Sequence, residues 1–137
     1  MERNSLPQIA LRQNTAERDR ISGLWRMKWM VTNLGRYPLH LLSVRFPHRQ
    51  FKADEHVFEP LVDLKANGDI QFEMLVQCDE SPGLVTENAF AIFCVKSRRA
   101  PWRIFVRLKV VVTGDGKPET TTELITTQKA GFSGVES

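Results

Sequence analysis

Cysteine, tyrosine and long apolar runs are scarce in this chain. It has two cysteines and one tyrosine in 137 residues, and no apolar stretch reaches the ~20 residues a membrane-spanning helix requires. The first residues, MERNSLPQIALRQ, are too polar for the apolar centre of a signal peptide. The expected location is therefore the cytoplasm, and no membrane is expected among the partners. Sustained helical periodicity is almost absent. So are the short motifs of catalysis: there is no Gly-x-Ser-x-Gly, no Cys-His or Ser-His-Asp set, no Walker loop and no Gly-rich dinucleotide turn. GDGK at 114–117 matches a phosphate loop only in its last two letters, and it joins two strand-like runs instead of opening a helix.

Metal chemistry lacks its ligands as well. DLKANGDIQFEM, Asp63 to Met74, approaches a calcium loop, but Lys65 stands at position three and Met74 at position twelve, where oxygen ligands are required. His40, His48 and His56 are evenly spaced and offer no close pair of ligands on one element. No metal and no cofactor is expected. Cys78 and Cys94 raise the prospect of an immunoglobulin-type disulfide. If residues 79–88 connect a symmetric hairpin, Cys94 faces Glu73, and Cys78 lies about five residues along the ladder, on the order of 17 Å away. That is beyond disulfide reach, so two free, core-filling thiols in a reducing compartment are expected.

What the chain has in quantity is alternation. Trp25, Met27, Trp29 and Val31 alternate with Arg26, Lys28, Met30 and Thr32 before NLGRYP breaks the run. In LHLLSVRF, His40, Leu42, Val44 and Phe46 share one face, and Leu39, Leu41, Ser43 and Arg45 the other. HRQFKADEH is a connection into VFEPLVDL, whose Pro60 cannot donate to a ladder and marks an edge strand. ANGD is then a hairpin turn feeding a strand with Ile70, Phe72, Met74, Val76 and Cys78 on its apolar face. DESPGLVTEN is a loop of turn formers, and AFAIFCVK, apolar on both faces, is a central covered strand. In WRIFVRLKVVVT, Trp102, Ile104, Val106, Leu108, Val110 and Val112 face inward while Arg103, Phe105, Arg107, Lys109 and Val111 face outward. GDGKP turns the chain into the Thr-rich strand ETTTELITTQ. Residues 1–22 are a polar segment with a possible first strand, PQIALRQ, and a possible helical turn, TAERDRIS; residues 23–128 are the domain and 129–137 a tail. Short strands with turn signals every 8 to 12 residues predict one all-β domain, an antiparallel immunoglobulin-like β-sandwich of about seven to eight strands, with a closed barrel as the alternative.

WMVTNLGRYPLHLLSV, followed by LVDLKANGDIQFEMLV, resembles the strand pairs of bacterial immunoglobulin-like domains of the CARDB type, in which an Asn-x-Gly turn and an L-x-x-G turn recur. The resemblance covers about half of the chain. It implies a binding or adhesive sandwich and carries over no catalytic residue. Many such domains are exported, whereas this chain opens without a signal peptide.

Charge is distributed in blocks. Residues 1–52 carry ten Lys or Arg against three acids, 53–90 carry one against nine, and 91–137 carry eight against four, giving +7, −8 and +4. The candidate interaction face is a row of Arg103, Phe105, Arg107 and Lys109, extended at one end by Arg98 and Arg99. Such a row suits phosphates, with an aromatic to stack on; equally, the acidic middle segment can lie against it in cross-strand salt bridges. Phe105, Tyr37, Phe51 and Phe132 stand outside the inward rows, and exposed aromatics among arginines make a protein-binding patch, although single exposed apolar residues are ordinary and Tyr37 and Phe51 can equally cap the core from loops. The leading expectation is a non-enzymatic module that presents sheet faces or loops to a protein partner or to its own copy. The alternative is a polyanion or single-stranded nucleic-acid binder, and an enzyme is third. A continuous basic stripe favours the alternative, and interleaved acids favour the leading reading.

Overall fold

A computed structural model describes residues 6–130. The strands are β1 (Ile9–Arg18), β2 (Trp25–Asn33), β3 (Leu39–His48), β4 (Phe51–Leu64), β5 (Asp69–Val76), β6 (Val85–Ser97), β7 (Ala100–Val112) and β8 (Pro118–Lys129). A three-stranded sheet in the order β1-β2-β5 faces a five-stranded sheet in the order β4-β3-β6-β7-β8. Every pairing is antiparallel, and the two sheets form a sandwich that does not close into a barrel. Strands one, two and five share one sheet while three, six and seven share the other, the division found in an immunoglobulin constant domain. The fourth strand has moved beside the third, and β8 is added beyond the seventh. Among the described residues no helix is long and apolar enough to cross a membrane.

The core lies between the sheets and is built by the alternation of the strands that flank it. β2 turns Trp25, Met27, Trp29 and Val31 inward, β5 turns Phe72, Met74 and Val76, and β7 turns Ile104, Val106, Leu108, Val110 and Val112. Trp29 meets Phe46 edge-on at 5.2 Å, and Phe46 stacks on Phe51 at 5.4 Å. Phe72 meets Phe58 at 5.5 Å and Phe93 at 6.2 Å. Each such side chain, fully buried, is worth about 1.5–3 kcal/mol of transfer free energy. Trp102, at the start of β7, is only half-buried and packs on the rim of this core.

Several expectations need correction. TAERDRIS is no helical turn: β1 runs on to Arg18 in register with Trp25 through a bulge between Gln13 and Thr15, and the turn begins only at Asp19, whose carboxylate accepts from the amide and hydroxyl of Ser22. The first strand is therefore an integral part of the sandwich. HRQFKADEH is not a connection, because β4 starts at Phe51, a fully buried residue that joins the core from a strand and not from a loop. DESPGLVTEN is a loop only to Leu84, after which β6 begins. The two-face reading of LHLLSVRF fails at Leu42, where a bulge lets Leu39 and Leu41 and then Val44 and Phe46 all be buried. β4 is an edge strand, as Pro60 implied, and β6 is the middle strand of its sheet. Phe132 and most of the expected tail lie outside the described residues.

The larger correction concerns ANGD. Asn67 takes φ 66 and the Gly68 amide donates to Lys65 O at 2.8 Å, so the turn exists. It does not make a hairpin, because β4 and β5 belong to different sheets. The chain crosses from sheet to sheet there, and again between β5 and β6. The hairpin from which the separation of Cys78 and Cys94 was argued is therefore absent. Both thiols are nonetheless free: Cys78 is buried in the core, and Cys94 is half-buried, beside Arg103 on the outer side of β6.

Candidate binding face

β7 is held between β6 and β8, and its register decides what stands beside each outward side chain. Arg103 lies between Cys94 and Gln128, Phe105 between Ile92 and Thr126, and Arg107 between Phe90 and Leu124, while Lys109 is opposite Thr121. The expected acidic partners are not there. Acid-rich β4 is at the far edge of the same sheet and β5 is in the other sheet. Glu123 occupies the β8 bulge and Glu119 pairs with Val111. Among the described residues no carboxylate comes within 4.0 Å of Arg103, Arg107 or Lys109; the carboxylates that do meet a basic side chain are Asp19 and Glu73 with Arg26, and Asp63 with the imidazole of His40.

An apolar centre fills the space beside the cations. Ile92 is 8% exposed although it points away from the core. Phe90 and Phe105 meet edge to face at 6.4 Å and 86°, the diagonal contact open to aromatic residues on adjacent strands. Leu124 is 51% exposed on the β8 side. The stem of Arg107 runs between Phe90 and Leu124 in the register, and its Nε is buried without a hydrogen-bond partner among the described residues. Arg45 on β3, paired with Ile92, and Lys96 on β6 add cations around this centre.

Arg98 and Arg99 form the two-residue turn between Ser97 and Ala100, at the end of the row where Arg103 stands. Both take positive φ, 53 and 69, a conformation two-residue hairpins demand and one that L side chains adopt at a cost. The Arg98 guanidinium lies 4.2 Å from the centre of the Tyr37 ring, and the Lys129 ammonium 5.6 Å from that of Trp102. The aromatic faces next to the cations are thus occupied by the chain's own cations. All six residues of the expected face come together on one side of one sheet and its β6–β7 turn. Phe90, Ile92, Leu124 and Arg45 were missed, although AFAIFCVK, apolar on both faces, carried the signal: its outward row had to be covered by something.

The histidines do not converge. His40 faces Asp63 at 3.9 Å, His48 Nδ1 accepts from the Gln50 amide at 3.1 Å, and His56 packs on Phe58 and Phe72. Asp63 to Met74 runs from the end of β4 through a turn into β5, so strands stand where a calcium hand has helices. Among the described residues no three His, Cys, Asp or Glu side chains gather in a metal-binding group. No protein-family model matches the chain, and no curated protein is similar enough to count as a relative.

Proposed function

We propose that this protein is a non-enzymatic binding module, and that the outer face of its five-stranded sheet docks a protein surface with an apolar centre and an acidic rim. One observation carries the reading: an apolar centre interrupts the cationic row of β7, with Phe90 and Leu124 flanking Arg107 and Ile92 flanking Phe105, so the row is no continuous basic stripe. An apolar patch bordered by arginines that lack internal partners has the makeup of an interface centre, where aromatic and Arg side chains dominate binding energy. The resemblance to CARDB-type sandwiches points the same way, towards binding without chemistry. Free thiols suit a reducing compartment, and the cytoplasm is the location proposed.

The absence of interleaved acids also supports a second reading, a polyanion bound along Arg98, Arg99, Arg103, Arg107 and Lys109. Against it, Phe105 is engaged edge to face with Phe90, and Tyr37 is covered by Arg98, which leaves few ring faces for bases to stack on. Replacing Arg103, Arg107 and Lys109 together by Gln separates the two. The expected result in a lysate capture is a protein partner that survives nuclease treatment and is lost with the triple variant. Tight single-stranded nucleic-acid binding that persists at ~0.15 M salt, where exposed charges are screened beyond about 8 Å, and that the triple variant loses, would establish the second reading instead.

A further inference from the structure

The two seams of the sandwich are closed differently. Between β1 and β8, Gln13 Nε2 donates to Pro118 O, Gln13 Oε1 accepts from the amide and hydroxyl of Thr120, and the hydroxyls of Thr122 and Thr127 donate to Leu11 O and Pro7 O. Between the start of β4 and the residue that follows β5 there is one antiparallel bridge, Lys52 with Gln77. Beyond that bridge the strands part around a groove lined by Val57, Phe58, Val62, Ile70, Phe72 and Glu73 among others. β5 pairs only with β2, and β4 only with β3, so each has a backbone edge without a strand partner among the described residues. The edge of β4 is blunted by Pro60, which has no N–H, and by the register jump from Val57 to Val62. The edge of β5 has no such protection: DIQFEMLV alternates without a proline or a bulge.

We propose that the free edge of β5 takes an extended peptide as a fourth strand, with apolar residues alternating towards the groove and two Lys or Arg residues, four apart, on the outward side. Alternation sets the pattern. Side chains on one face of the added strand meet Ile70, Phe72 and, across the groove, Phe58 and Val62. Those on the other face lie beside Asp69, Gln71 and Glu73. Charge sets the sign: the groove lining contains Glu59 and Glu73 and no Lys or Arg, within a segment of nine acids and one lysine. A second copy added edge to edge is disfavoured, since Asp69 and Glu73 are the only charges β5 carries and would meet their like. This site is separate from the β7 face and does not depend on its function.

The test is a titration of the isotope-labelled chain with the end-blocked peptide TKVTVKVT, followed by amide shifts and hydrogen exchange. Shifts are expected at 69–75 and 56–62, with slowed exchange along the free edge of β5. The peptide TEVTVEVT is expected not to bind, and Asp69→Lys with Glu73→Lys to weaken TKVTVKVT by roughly tenfold or more, from two lost cross-strand pairs and the repulsion that replaces them. Gln71→Lys leaves the Arg26–Glu73 ion pair in place and serves as the second variant if the first unfolds early; it should weaken binding in the same direction. Equal binding of both peptides, shifts centred on β7 or β8, no shifts at millimolar peptide, or β5 amides already protected by self-association would each overturn the proposal.

Discussion

Asn33 shows how one polar side chain ties the sandwich together. It is 1% exposed, and its amide nitrogen donates to Tyr37 O and Leu64 O at 2.9 Å each, while its Oδ1 accepts from the Gly35 amide at 2.9 Å. Its backbone N–H and C=O bond to Gly68 O and the Asn67 amide. The β2–β3 turn and the β4–β5 crossing are therefore joined through this residue. Asn33→Ala would remove the partner of the buried Leu64 carbonyl and of the half-buried Tyr37 carbonyl and Gly35 amide, and should destabilise by about 2–4 kcal/mol in chemical denaturation. Asn33→Asp should not rescue, because it keeps the acceptor, loses both donors and buries a charge. In the sequence this residue reads only as a turn former in NLGRYP, since spacing along the chain does not disclose that Leu64 arrives beside it.

Among elements, the β6–β7 hairpin holds the most costly backbone. Its two turn residues are arginines where Asn-Gly is the favoured pair. Arg99→Gly removes a side chain from a left-handed position and should stabilise by roughly 0.5–1 kcal/mol, after the greater unfolded-state freedom of glycine is discounted. Strain kept at a turn points to use, so the same variant should bind the partner of the β7 face more weakly; thermal melting and partner affinity read the two effects. An Arg99→Gly chain that is stabler and binds equally well would mean the turn serves only the hairpin. The strands themselves were legible where alternation was unbroken, as in β2, β5 and β7. They were not where a bulge reset the faces, at Leu42, or where a polar start such as FKADEH disguised β4.

For the whole molecule, the assignment of strands to sheets was the hidden quantity. Asn67-Gly68 prescribes a tight reversal, but the same backbone serves a hairpin and a crossing between sheets, and only the packing of β2 against β5 decides. The cysteines report on that assignment. Burial pushes the Cys78 thiol up from its ordinary value, which keeps it protonated and unreactive, whereas Cys94 sits half-buried on the outer face. In native buffer an alkylating reagent should label Cys94 first, with Cys78 following only as the fold opens; after denaturation without reductant, mass spectrometry should show two labels per chain. A single intramolecular bridge would contradict the sheet assignment. The candidate face was legible as a cationic row and illegible as a patch, because Phe90, Ile92 and Leu124 join it only through the pairing of β7 with its neighbours.

The seam between β1 and β8 has a consequence in time. Its side-chain bonds connect residues 105 to 120 positions apart, so they close a loop of nearly the entire chain. Pairing at such separation is slow to form, since the entropy of closure is lost before any contact compensates. On the ribosome, β1 must wait for β8 to be synthesised, and the amide and hydroxyl groups that join them stay wet until the last strand arrives. Completion of this fold therefore waits on the arrival of β8 and not on the order in which the hairpins before it emerge.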